Sequence, residues 1–302
     1  MLKFIAKRLW HTVFVLIGVT ILTFLLLKLT SGSPARLLLA DTATEAQVLA
    51  KEQEMGLHDP LYIQYFRYIW GVLQGDLGTS YFFKVPNAQL IFASLPATGY
   101  LTLVAMLIAL VISIPLGIIA GMKRGSFTDL IAMFFALLGQ SISGVVLGLI
   151  FMLVFAVNLK WLPSMGYGGL AFVIMPATSL AMQMAALITR MLRSGMVDVL
   201  QEDYITATYA KGISRREIVT KYALRNAILP VITIVGLQVG TFLGGAIVTE
   251  QIFTWPGIGS LTVQAIGNRD FSLVQSILLI ISRSLWASTC WWTSSTRWLT
   301  RG

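Results

Sequence analysis

The chain has 302 residues, 56% of them hydrophobic and only 12% charged, with a mean hydropathy of +0.79; a soluble fold needs about twice that share of charge, so an ordinary water-soluble domain is excluded. Its net charge is +9, but Lys and Arg collect at the ends of apolar runs and form no patch, which excludes a nucleic-acid surface and points to membrane loops. One cysteine, Cys290, and two histidines, His11 and His58, rule out an internal disulfide and a Cys/His metal centre.

In chain order, the apolar runs predict six transmembrane helices: Trp10 to Leu29, Leu101 to Gly121, Leu130 to Val157, Leu170 to Leu192, Leu229 to Val248, and one from Leu273 into the tail. A hydrocarbon core of about 30 Å takes roughly 20 apolar residues per helix. Lipid offers no partner for backbone amides, so each run must be helical and the predicted fold class is all-α and polytopic. The first run exceeds the roughly 7–15-residue core of a signal peptide and no A-x-A site follows it, so it predicts a retained helix.

Charge predicts the orientation. Lys3, Lys7 and Arg8 precede the first span, Lys123 and Arg124 lie between the second and third, and Arg190, Arg193, Lys211, Arg215, Arg216, Lys221 and Arg225 flank or fill the segment between the fourth and fifth. By the positive-inside rule both termini are then cytoplasmic. Residues 31–98 form an external region in which Pro60 to Trp70 is amphipathic, as in a helix lying on the membrane surface or packed on the other spans. The expected division is 1–30 (cytoplasmic end and first span), 31–98 (external region) and 99–302 (core, with a cytoplasmic loop at 193–228). Trp161, Tyr167 and Trp255 sit near span ends, where aromatic belts belong.

Polar groups inside lipid need partners, so Gln140, Ser141 and Ser143 in the third span, Gln183 in the fourth and Gln238 in the fifth are expected either to line a translocation path or to join helices. Gly236, Gly240, Gly244 and Gly245 permit close helix contact, within one subunit or at a seam between two. Glu250 and Asp270 fall near the external edge, where a gate is one reading. No P-loop, H-E-x-x-H or G-x-S-x-G occurs, so the sequence carries no ATP-binding or hydrolase motif of these kinds.

The longest late charged island is Glu202 to Arg225. Glu202 and Asp203 are acids at a predicted helix start, where they complement the dipole, and Lys211 and Gly212 supply its last turn and left-handed corner. Ser214 and Glu217 then read as a capping box for a second helix running towards Leu229-Pro230. A short helix, a glycine corner and a helix feeding a span can carry force from the cytoplasm into the membrane; an ordinary solvated connector has the same pattern.

Glu202-Asp203-Tyr204-Ile205-Thr206-Ala207, Ala210-Lys211-Gly212 and Leu224-Arg225-Asn226-Ala227 before Leu229-Pro230 resemble the ATPase-docking loop of bacterial ABC importer permeases of the dipeptide, oligopeptide and nickel branch. Leu57-His58-Asp59-Pro60-Leu61, Gln64-Tyr65, Gly75-Asp76-Leu77-Gly78 with Ser80, Thr249-Glu250, Phe253, Trp255-Pro256-Gly257-Ile258-Gly259 and Arg269-Asp270-Phe271 extend the resemblance from Met1 to about Ile281; Ser33 departs from it, standing where that branch carries aspartate. The resemblance implies a type I ABC importer permease in a bacterial inner membrane, paired with a second permease, two P-loop ATPases and an external solute-binding protein. ATP and Mg would then sit on the partner subunits and no cofactor on this chain. The ATPase would be met by Glu202, Asp203, Tyr204, Ala207, Ala210, Lys211, Gly212 and Ser214. Gln140, Ser143, Gln183, Gln238 and Glu250 are the expected path or gate residues. The cargo would be a di- or oligopeptide, a glutathione-like peptide or chelated nickel. The rival class is a stand-alone carrier or channel, which shows mid-membrane charges or broken helices; spans two to five carry no mid-span acid or base.

From Ser282 the chain departs from that family's apolar ending and leaves the sixth span short before Arg283. A reading-frame shift is the hypothesis, set against a divergent but genuine tail: the codons of Cys290-Trp291-Trp292-Thr293, read from their third bases, give Leu-Val-Asp, the family's kind of ending. An unambiguous in-frame resequencing read would end it.

Overall fold

The computed structural model describes residues 10, 14–15, 17–25, 35, 39, 44–54 and 56–283. Parts of the first span, the Ser33 turn and the tail from residue 284, with Cys290, lie outside the described residues. Those described are helical or irregular, with no strand beyond an antiparallel bridge between Thr79 and Pro86.

After helical residues 17–25 come α1 (Glu45–Glu54), α2 (Leu61–Leu73), α3 (Asn87–Met122), α4 (Phe127–Ser141), α5 (Gly144–Asn158), α6 (Leu170–Val199), α7 (Asp203–Ala210), α8 (Arg215–Ala227), α9 (Leu229–Gly245), α10 (Ile247–Ile252), α11 (Ile258–Gly267) and α12 (Phe271–Arg283). Among them α3 and α6 are each long and apolar enough to cross a membrane alone. The pairs α4–α5 and α8–α9 qualify only as bent pairs.

Those bends differ from the sequence expectation. The third span is not one helix: its halves turn by 99° between Ser141 and Gly144. Ile142 is extended (φ −88°, ψ 125°), and the Ser143 hydroxyl accepts the Val145 N–H, so a new helix is capped inside the apolar run. The helix entering the fifth span does not feed it directly either. It widens to a π-helix over Ile218–Ala223 and turns by 51° before α9, where Pro230 has no N–H to continue the ladder. The second span begins at Asn87, well before Leu101, because α3 continues through Pro96.

The described residues fall into two compact units, one within 1–97 and 256–283 and the other within 98–255. In the first, Ile91 of α3 packs with Ile258, Leu261 and Ala265 of α11 and with Leu273 and Ile277 of α12. In the second, Ile188, Leu192 and Met196 along α6 form a buried spine with Ile205, Ile218, Ala227 and Val231. Close approach to α6 is built with glycine. A Cβ at Gly117 would stand 2.9 Å from the Leu192 Cβ, and one at Gly121 only 2.5 Å from the Met196 Cβ. Gly195 meets the Ala227 carbonyl oxygen at 3.0 Å in the same sense.

Candidate functional site

The charged island folds as a short exposed helix, α7, seated by Ile205, followed by most of α8. On α7 only Ile205 and Thr208 are buried; Ile205 joins the α6 spine, and the Thr208 hydroxyl donates to the Tyr204 carbonyl. Glu202, Asp203, Tyr204, Ala207, Ala210, Lys211, Gly212 and Ser214 are all exposed. Gly212 takes φ +77°, so the left-handed corner is present. Ser214 caps α8 by accepting the Glu217 N–H at 3.3 Å, while the Glu217 carboxylate pairs with Lys221 (2.7 Å). Glu202 occupies the N-cap position with no side-chain capping bond, so its contribution there is charge alone. Asn226 on α8 donates to the Tyr204 hydroxyl at 2.7 Å, tying the two arms of the element together.

The five path or gate residues separate into groups. Gln140 and Ser143 flank the break between α4 and α5, and Gln183 of α6 reaches the same break, its amide Nε2 donating to the Ile142 carbonyl at 3.4 Å. All three side chains are exposed in helices that are otherwise apolar. The break removes helical partners from the last carbonyls of α4, so backbone and side-chain polar groups accumulate there. Packing keeps this irregular backbone against α6: a Cβ at Gly139 would meet the Met182 carbonyl oxygen at 3.2 Å, and one at Gly144 the Ser179 carbonyl oxygen at 3.4 Å. Gln238 is half-buried on α9, with Thr241 donating to both its carbonyl and its side-chain oxygen. Glu250 stands apart from the break residues. It is fully buried on α10 and accepts from the Thr98 hydroxyl at 2.6 Å. Beside it Trp255 is fully buried, stacked on Tyr100 and edge-on to Tyr167, and the Phe253 carbonyl accepts the Gly166 N–H.

Two further polar constellations stand apart from these groups: the sequence does not mark the first as a pair, and it marks Asp270 and Ser80 of the second only as separate motifs. Asp129, in the first turn of α4, receives a two-pronged bond from Arg193 of α6, Nε and Nη2 each at 2.7 Å, plus the Gly125 N–H. Its signal was Ser126-x-x-Asp129, a helix-start pattern, but the partner lies 64 residues away. On the other unit, Asp270 is fully buried and accepts from the Ser80 hydroxyl and the Phe82 N–H. Asn87 donates to the Leu77 carbonyl, Ser272 and Ser276. The strap at 77–87 is thereby clasped to the start of α12, joining two motifs that lie 190 residues apart. Burial, reinforced by the Asp270 charge, pushes the Tyr81 phenol above its ordinary value.

The sequence matches the family described as binding-protein-dependent transport system inner membrane component over residues 113–301, and the N-terminal component of such membrane proteins over residues 1–102. The glutathione transport system permease protein GsiC of Salmonella paratyphi A is 40% identical over 283 residues, covering 93% of this chain and 92% of that one. The protein of the same name from Escherichia coli is 38% identical over 282 residues, with the same coverage. Among solved structures, the inward-facing MetNI methionine ABC transporter matches with TM-score 0.60 at 17% identity, over 70% of this chain and 96% of that chain. An amino acid ABC transporter matches with TM-score 0.51 at 16% identity, over 71% and 94%. These two likenesses establish the fold. Family membership sets the stand-alone carrier aside, even though a broken span, one of that rival's marks, is present. The chain belongs to the binding-protein-dependent transport system inner membrane components: it is an ABC importer permease subunit, and not an enzyme.

Proposed function

We propose that this permease forms half of the translocation path of an ATP-driven importer of small peptides, with a glutathione-like peptide as cargo. In this reading it pairs with a second permease, two cytoplasmic P-loop ATPases carry ATP and Mg, and an external solute-binding protein delivers the cargo. Both termini and α7 lie on the cytoplasmic side, where the Lys and Arg residues concentrate. The observation that carries the docking role is the division of α7: Ile205 seats it in the buried cluster that α6 shares with α8 and α9, and all eight docking residues remain exposed. Movement imposed on α7 then passes to α6 and, through α8, to α9. ATP drives the cycle only if it binds one of the two permease states better than the other.

Gln140, Ser143 and Gln183 line the path at the broken span, with Gln238 deeper in the bundle and Glu250 holding the gate at the opposite end. The cargo assignment draws on the names of the relatives at 40% identity. It also draws on the neutral amides and hydroxyls at the break, which suit peptide groups better than a metal chelate.

The test is purification of the tagged chain from its own membranes in mild detergent, with mass-spectrometric identification of its partners and uptake of labelled glutathione, dipeptide and nickel. Recovery of a second permease and ATPases is expected. Gly212→Val, whose backbone sits at φ +77°, strains the corner by about 1–2 kcal/mol and should release the ATPases while keeping the second permease. A chain recovered without any ATPase would overturn the docking role, and nickel uptake without peptide uptake would overturn the cargo.

A further inference from the structure

The external helix α2 carries a stripe that the transport reading leaves unused. Tyr62, Phe66, Trp70 and Leu73 are spaced to fall on one side of the helix, and they are 64%, 68%, 65% and 74% exposed. No charged side chain interrupts that stripe. The polar groups of α2 turn elsewhere: the Gln64 amide donates to the carbonyls of Leu57 and Asp59, and Arg67 pairs with Asp59 at 2.7 Å.

What lies behind α2 fixes its surroundings. Tyr65 shares a hydroxyl–hydroxyl hydrogen bond with Thr20 (2.9 Å), and its ring stands 5.6 Å from that of Phe24, edge to face. Thr20 and Phe24 sit nine and five residues before Leu29, the end of the first apolar run, so the contact falls inside that run and not beyond it. Ile17, Ile21, Leu22 and Leu25 of the same span are themselves exposed, as a lipid-facing helix requires. At 13 residues, roughly 20 Å long, α2 is too short to cross a bilayer of about 30 Å.

We infer that α2 is embedded in the outer leaflet, pinned to the first span through Tyr65, with the Tyr62–Phe66–Trp70–Leu73 stripe against lipid acyl chains. Tyr62 and Trp70 have the apolar body and polar tip favoured where hydrocarbon meets headgroup, and the Arg67–Asp59 pair provides the charged flank. The external region would then be tethered to the bilayer at α2 and would not stand free in water. The occupant is lipid, and neither a soluble protein nor the second permease.

The experiment uses the full-length chain with its co-purifying subunits in phosphatidylethanolamine–phosphatidylglycerol vesicles. Cys290→Ser removes the native thiol, and a nitroxide is attached at Tyr62→Cys, Phe66→Cys or Leu73→Cys, with Lys51→Cys on α1 as the aqueous reference. Collision with oxygen should exceed collision with a water-soluble nickel chelate severalfold at the three stripe positions, with the ratio reversed at Lys51. Chelate access at the stripe equal to that at Lys51 would overturn the inference in favour of a surface open to water. Stripe labels shielded from both reagents would overturn it in favour of a protein cover. Using three exposed positions keeps the result readable if one variant fails to assemble.

Discussion

Asp129 and Arg193 place opposite charges in a setting with little water, their side chains 7% and 27% exposed. Removing one partner strands the other, so Asp129→Ala should cost roughly 2–3 kcal/mol, below a fully buried pair because Arg193 keeps some solvent. Thermal unfolding in detergent checks this, and the double variant with Arg193→Ala should lose less than the sum of the singles. Additive losses would mean that the pair contributes nothing as a pair. At this scale the sequence was half legible. Gly212 and Ser214 announced a corner and a cap that the structure contains, and Ser126-x-x-Asp129 holds a helix-start pattern of the same kind. The guanidinium that meets Asp129 could not be read, because pairing across 64 residues depends on where two helices lie.

Helix packing sets what the elements tolerate. α3 approaches α6 so closely at Gly121 that a Cβ would stand 2.5 Å from the Met196 Cβ and 3.2 Å from the Arg193 carbonyl oxygen. Gly121→Ala should therefore push the helices apart and destabilise by about 1–3 kcal/mol, a lowered unfolding midpoint being the readout. Gly99→Ala, on the same helix with open space around it, is the control that should leave the midpoint nearly unchanged. Hydropathy located the second and fourth spans, since a sum over 20 residues reports transfer free energy well. It could not report direction: Leu130 to Val157 reads as one run, yet Ile142 is extended and the two halves diverge by 99°. Ser143 and Gly144 carry cap and corner chemistry, but the same residues also occur inside unbroken helices, so packing against α6 is what selects the break.

For the whole molecule, the strap at 77–87 offers the clearest dependence on distant sequence. Asp270 collects the Ser80 hydroxyl and the Phe82 N–H at the start of α12. Asp270→Asn should free the strap at 77–87, giving new protease cleavage between Thr79 and Lys84 while partner subunits still co-purify. Unchanged cleavage would show that the Asn87 bonds to Ser272 and Ser276 suffice. By itself the sequence determined the membrane class, the helical content, the short charged helix with its glycine corner and the family, because each rests on composition, local periodicity or contiguous motifs. Only tertiary structure decided the rest: that Glu250 is buried beside Thr98, that Gln183 reaches the broken span, and that motifs 190 residues apart form one clasp. Those outcomes depend on which faces of distant helices meet, and contact between faces is a property of packing that no local pattern encodes.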